Sequence, residues 1–156
     1  MKKIALLLLL IFALSSPAGA EQTPPDAAGT IEVCIDNIRS CNGTVGVALF
    51  NTKHGFPNKN SKAIEGKSVP AGKQCIVLFK NIPYGTYAVS VLHDENGNGK
   101  MDKAFLGIPK EGFGTSNNPK LKMGPPSFSD SQFDLAQQKM TLNINMKYLR
   151  NPEEKK

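Results

Sequence analysis

Apolar and polar residues alternate with a period of two in several short runs, and this period, not the 3.6 of a helix, dominates the chain. Ile31, Val33 and Ile35 alternate with Glu32, Cys34 and Asp36, the pattern of a half-buried strand. Asn42-Gly43 follows as a turn signal. Val45, Val47 and Leu49 then alternate with Gly46, Ala48 and Phe50, so the two runs are expected to form a hairpin. Cys75 to Phe79 is a compact apolar run with β-branched members and reads as a third strand. Asn81-Ile82-Pro83-Tyr84-Gly85 reads as a turn, with Pro setting φ and Gly free to take φ > 0. Tyr87, Val89 and Val91 alternate with Ala88, Ser90 and Leu92, a fourth strand that runs into His93-Asp94. Thr141 to Tyr148 is the last: Leu142, Ile144 and Met146 face one way, Asn143, Asn145 and Lys147 the other. One dry face and one wet face suit an antiparallel sheet. A short helical turn is expected around Ser61–Glu65.

Between Glu95 and Asp130 neither period holds. The stretch carries six Gly and four Pro, together with Phe105, Phe113 and Phe128, and Phe133 lies just beyond. A structureless loop of this length is uncommon inside a compact domain. Each aromatic is able to bury about 150–250 Å², so the stretch is expected to be a packed, irregular excursion over one end of the fold. The expectation is an all-β, antiparallel β-sandwich of about seven strands, in one domain over residues 30–149, with a long irregular Gly/Pro-rich loop.

Composition adds the compartment. Lys2 and Lys3 precede an apolar run from Ile4 to Leu14, and Ala18-Gly19-Ala20 supplies a small-residue cleavage pattern. Residues 1–20 therefore read as a signal peptide, too short in its apolar run for a span of about 20 residues. The chain is expected to be exported, periplasmic or secreted, with no membrane span once the signal is cleaved. Residues 21–29 read as a flexible leader and 150–156 as a charged tail. The formal charge is +6, but Arg39 and Arg150 are the only Arg residues and the Lys residues are scattered. That is a solvated basic surface, not the clustered Arg/Lys footprint of a nucleic-acid binder. Cys34, Cys41 and Cys75 suit an oxidising compartment, where two pair and one is left over. Cys34–Cys41 closes the shortest loop, but all three pairings stay open, as does a small buried apolar role for at least one of them. With no C-x-x-C, and only His54 and His93, a zinc site is not expected.

The candidate chemistry lies at Asp94-Glu95-Asn96-Gly97-Asn98-Gly99-Lys100-Met101-Asp102. Asp94, Asn96 and Asn98 stand at positions one, three and five of an oxygen-ligand loop. Lys100 offers its backbone carbonyl at seven, Gly99 makes the sharp turn at six, and Asp102 falls at nine. Hard oxygens at this spacing suit Ca²⁺, here in a structural role. Phe105 stands where the bidentate Glu of an EF-hand would be, and a strand enters in place of a helix, so the loop is not an EF-hand. Glu95 or Glu111 is the source of any further ligand. On this reading Asp94→Ala removes the calcium response with little loss of fold. The competing reading is a polar turn that uses Asn-Gly twice for its φ > 0.

An enzyme reading starts from His93 as general base beside a carboxylate, with Ser116 or Ser127 as nucleophile. No G-x-S-x-G occurs, and adjacent strand residues point to opposite faces, which separates His93 from Asp94. Gly112-Phe113-Gly114 lacks the G-K-[ST] ending of a phosphate loop.

Several ordered words run through the chain: Ile82-Pro83-Tyr84-Gly85-Thr86-Tyr87-Ala88, His93 through Asp102, Gly107-Ile108-Pro109-Lys110-Glu111-Gly112-Phe113-Gly114, Ser116-Asn117-Asn118 and Gly124-Pro125-Pro126-Ser127-Phe128. Together they resemble the bacterial domain-of-unknown-function family 2141 (DUF2141), over Thr30 to Tyr148. The resemblance implies an exported single-domain protein with no established activity. The Pro-x-Gly-x-Tyr turn is similar to those of prealbumin-like and carboxypeptidase-regulatory-like, Ig-like sandwiches. The functional expectation is a noncatalytic envelope or secreted binding or structural module, its partner an envelope protein or a glycan. The alternative is a small periplasmic hydrolase, or another enzyme using His93 and a nearby carboxylate.

Overall fold

The computed structural model describes residues 27–150. The signal peptide, most of the leader and the tail beyond Arg150 lie outside the described residues. Among the described residues, eight strands form two sheets. β1 (Ala28–Asp36) is the centre of a three-stranded sheet, flanked by β4 (Cys75–Pro83) and β8 (Lys139–Asn145). The second sheet runs in the order β3 (Glu65–Pro70), β2 (Thr44–Phe50), β5 (Gly85–Asp94), β6 (Gly112–Thr115). β7 (Phe133–Leu135) pairs with the start of β5.

The period-two runs bury as their pattern predicts. Ile31, Val33 and Ile35 face Val45, Val47 and Leu49 across the sandwich, joined by Val77, Phe79, Val89, Val91, Ile144 and Met146 in one core. Burying each such side chain contributes about 1.5–3 kcal/mol, so this interlayer contact holds the fold. Every strand pair is antiparallel except β1–β8, which is parallel. The wet face of β8 is the outer face of the three-stranded sheet. Alternation reports a half-exposed strand and carries no information on strand direction.

The expected β1–β2 hairpin does not form. β1 and β2 lie in different sheets, and the link between them crosses from one layer to the other. Asn37 takes φ 61° at the end of β1, and its side-chain amide donates to the Met146 carbonyl (2.8 Å). Ile38 then packs against the core. Gly43 does take the positive φ (72°) that its turn signal implies, but for another reason. A Cβ there would drive into the Asp94 backbone carbonyl, so Gly43 lets the chain enter against the end of β5. The helical turn near Ser61–Glu65 is a single 3-10 turn, Asn60–Lys62.

The 95–130 excursion packs over the outer face of the five-stranded sheet. It returns through β6 and a one-turn helix, α1 (Phe128–Ser131), capped by the Ser127 side chain accepting from Asp130 N–H. Phe128 meets Phe56 edge-on, and Phe56 meets Phe50 edge-on, with centroids 5.7 and 5.3 Å apart. Phe133 lies beside Tyr87. Phe105 departs from the expectation: it is 87% exposed.

Candidate functional site

β5 carries two consecutive polar residues out of the core, and the pleat sends them to opposite faces. His93 points inward and is fully buried. Its Nε2–H donates to the Asn42 carbonyl (2.9 Å), which leaves Nδ1 to accept from the Tyr148 hydroxyl (2.9 Å). The Tyr148 oxygen also accepts from Arg39 N–H (3.1 Å). The Arg39 guanidinium lies over the Tyr148 ring and forms a two-point ion pair with Glu95. That pair holds the Glu95 carboxyl below its ordinary range, the Arg39 hydrogen bond being the largest cause. Burial pushes the Tyr148 phenol up. The cluster ties the β1–β2 link, the end of β5 and the C-terminal segment together. Ser116 and Ser127, the two candidate nucleophiles, are elsewhere. The buried Ser116 hydroxyl donates to the Ser131 carbonyl and accepts from Val89 N–H, and Ser127 is the cap of α1.

Asp94 points to the other side and heads the 94–102 loop. Its Oδ1 accepts from Gly97 N–H (2.8 Å) and Asn98 N–H (3.1 Å), and its Oδ2 accepts from Gly99 N–H (2.6 Å). Gly97 and Gly99 take the positive φ these turns need. The Asn96 and Asn98 amides both donate to the Asp102 carboxylate, at 2.7 and 3.1 Å. The Asn98 Oδ1 accepts from Lys100 N–H (2.9 Å). The loop thus brings the Asn96, Asn98 and Asp102 side chains together above the Asp94 turn. Glu111, seventeen positions after Asp94 in the chain, is buried beneath it. Its two oxygens accept from Glu95 N–H (3.1 Å) and Asp102 N–H (2.9 Å). Sequence spacing named Glu111 as a possible ligand; its observed work is to clamp both ends of the loop. Among the described residues, no group of three or more His, Cys, Asp and Glu side chains is arranged to hold a metal. The donor set here is two carboxylates, two amides and a carbonyl.

The three thiols are free. Cys34 on β1 pairs in register with Ile76, while Ile35 pairs with Cys75. The two cysteines are therefore one position out of step and point to opposite faces. Cys75 sits in the core and Cys34 on the outer face, where burial and the neighbouring Glu32 and Asp36 raise its pKa. Cys41 is exposed in the link.

Over the outer face of the five-stranded sheet lies an open cleft of about 1180 Å³. Its floor is the outward side of β3, β2, β5 and β6, and its walls are the 97–109 and 121–126 segments together with Pro57 and Asn60. Sequence reading missed it, because β3 and β6 are short, Gly-bearing and without alternating apolar residues.

The two facing sheets, the core between them and the polar loop heading the excursion define an all-β sandwich protein with a concave outer face. Over residues 33–143 the chain matches the family described as "Uncharacterized protein conserved in bacteria (DUF2141)", and it belongs to that family. No curated protein and no solved structure matches it. Among the described residues, no helix is long and apolar enough to cross a membrane.

Proposed function

We propose that this is an exported, noncatalytic binding module of the bacterial envelope or its surroundings, whose 94–102 loop takes one structural Ca²⁺. The observation that supports the loop reading is the convergence of the Asn96, Asn98 and Asp102 side chains above Asp94. Asp94, Asn96, Asn98, Asp102 and the Lys100 carbonyl would hold the ion. Bound there, it would neutralise the two carboxylates and fix the start of the excursion. The noncatalytic reading is supported by His93, whose two ring nitrogens are both spent on Tyr148 and Asn42.

Asp102 tests the metal better than Asp94, because Asp102 is partly exposed and its side-chain hydrogen bonds stay within the loop. Extracellular calcium modules bind at about 10⁻⁴–10⁻³ M, and a ligand at a hundredfold excess over Kd stabilises by about 2.7 kcal/mol. About 10 mM Ca²⁺ is expected to raise the melting temperature by a few degrees, with a smaller rise for Mg²⁺ and none in Asp102→Ala. Absence of any calorimetric heat or melting shift in the wild type would make the loop a turn only. A hydrolase screen with turnover abolished by His93→Ala would overturn the noncatalytic reading.

A further inference from the structure

Over much of the cleft floor the side chains are smaller than the fold requires, Leu92 and Phe113 being the larger exceptions. On the outward side of the sheet, β3 presents Gly66 and Ser68, and β2 presents Gly46 and Ala48. Ser90 and Thr115 continue the floor onto β5 and β6. Gly46 and Gly66 take no positive φ. A Cβ on either would meet only one atom, a backbone oxygen at 3.9 Å. Neither backbone conformation nor packing therefore demands glycine there. Glycine inside a strand costs about 0.5–1 kcal/mol relative to Ala, and it often marks a place where another molecule approaches the backbone closely.

Two further observations describe that molecule. Ser90 is 8% exposed and lines the cleft, and its hydroxyl makes no hydrogen bond to any described residue. No fully inaccessible side-chain N or O atom among the described residues lacks a partner, so this hydroxyl opens into the cleft. The charge of the lining is one-sided. Lys100 and Lys103 line it and form no ion pair with any described residue. Asp94, the only carboxylate in the lining among the described residues, has both oxygens engaged by backbone N–H groups. The walls add Leu106, Ile108 and Leu121, all exposed large apolar side chains. The open cleft, at about 1180 Å³, is somewhat larger than ordinary ligand pockets, which run to about 1,000 Å³.

We infer that the cleft over the outer face of the five-stranded sheet binds a free, single-chain anionic amphiphile of the fatty-acid type. Its apolar body lies on the glycine floor against Leu106, Ile108 and Leu121, its anionic head pairs with Lys100 and Lys103, and Ser90 supplies a polar contact within the cleft. The inference rests on the binding-module reading and adds the ligand class to it.

The test is isothermal calorimetry with dodecanoate below its micellar range, against dodecyltrimethylammonium, which has an alkyl tail one methylene longer and the opposite head. Dodecanoate is expected to bind one to one, with the cation about tenfold weaker or more, since a reversed head meets like charge at the rim. Lys100→Ala with Lys103→Ala is expected to weaken dodecanoate by about threefold to tenfold. Gly46→Leu fills the floor and is expected to abolish binding with the melting temperature unchanged. Gly66→Leu serves if that variant does not fold. Equal affinity for the two heads, or wild-type binding in a folded glycine-to-leucine variant, would overturn the proposal. So would cosedimentation with anionic vesicles in the absence of dodecanoate binding, which would move the ligand to a membrane surface. A calcium-induced melting shift without dodecanoate binding would remove the ligand class and leave the calcium-loop reading standing, whereas His93-dependent turnover would remove the noncatalytic reading.

Discussion

Asp94 shows how one residue acquires a role its spacing does not reveal. By spacing it is the first ligand of an oxygen loop, dispensable to the fold when no ion is bound. In the structure it is 4% exposed and its carboxylate accepts three backbone N–H groups. Hydrogen bonds to a charged group contribute about 1.5–3 kcal/mol each, and water can reach some of the amides that would be released. Asp94→Ala is therefore expected to destabilise the calcium-free protein by about 2–4 kcal/mol in urea titration. A loss under about 0.5 kcal/mol would show that the turn holds without it. The cysteines make a second residue-scale case. Cys41 is exposed, Cys34 carries a raised pKa, and Cys75 lies in the core. With a thiol reagent at neutral pH, Cys41 is expected to react first, Cys34 more slowly and Cys75 only on unfolding. A Cys75 as fast as Cys41 would contradict its placement.

Among elements, the β1–β2 link carries the most information. Arg39 in this link pairs with Glu95 at the end of β5, and Gly43 closes the link against Asp94. The folded pKa of Glu95 is lowered from its ordinary value of 4.5 by that pair, so in acid the unfolded chain binds more protons than the folded one. The stabilisation is present above the ordinary value and is lost as pH falls through the folded value. Glu95→Gln is thus expected to flatten the acid limb of the stability profile, read as the urea midpoint against pH. An unchanged slope would mean that the ion pair is not maintained in solution. Two glycines of neighbouring sequence give a paired comparison. Gly43→Ala combines a positive φ, costing about 1–2 kcal/mol, with overpacking of about 1–3 kcal/mol. At Gly46 an added Cβ makes only an ordinary contact with the Leu92 carbonyl, and Gly46→Ala is expected to be neutral, or stabilising by about 0.5 kcal/mol. Equal effects of the two changes would remove the distinction between a glycine the fold needs and one it does not.

At the scale of the whole molecule, the excursion is fastened to the sandwich by aromatics at some points and not at others. Phe50 is fully buried and begins the edge-on series through Phe56 to Phe128. Phe50→Ala is expected to cost about 3–5 kcal/mol. Phe105→Ala should stay within about 0.5 kcal/mol, because an exposed ring contributes no burial to lose. Denaturant midpoints for the two variants check this, and a large loss at Phe105 would mean that the 103–109 segment packs down in solution. Phe105 and Phe128 occupy equally irregular sequence, and periodicity does not distinguish them. Only the path of the chain brings Phe128 over Phe56 and leaves Phe105 at a loop tip.

The local pattern was sufficient for what local physics controls. The strands β1, β2, β5 and β8 are legible from period-two alternation and β4 from a compact apolar run, and with them the core residues and the fold class, because each strand buries its own apolar face. The words from Ile82 to Phe128 also carried the family to which the chain belongs. Tertiary structure decided which strands share a sheet: β1 and β2 diverge and β8 runs parallel to β1, since pairing partners and direction depend on links whose side chains dock far away in the sequence. It also decided that Cys34 and Cys75 point apart, that Glu111 clamps the 94–102 loop, and that the short, glycine-bearing strands β3 and β6 floor a cleft. Those features arise between segments tens of residues apart, where no single stretch of sequence holds both halves of the interaction.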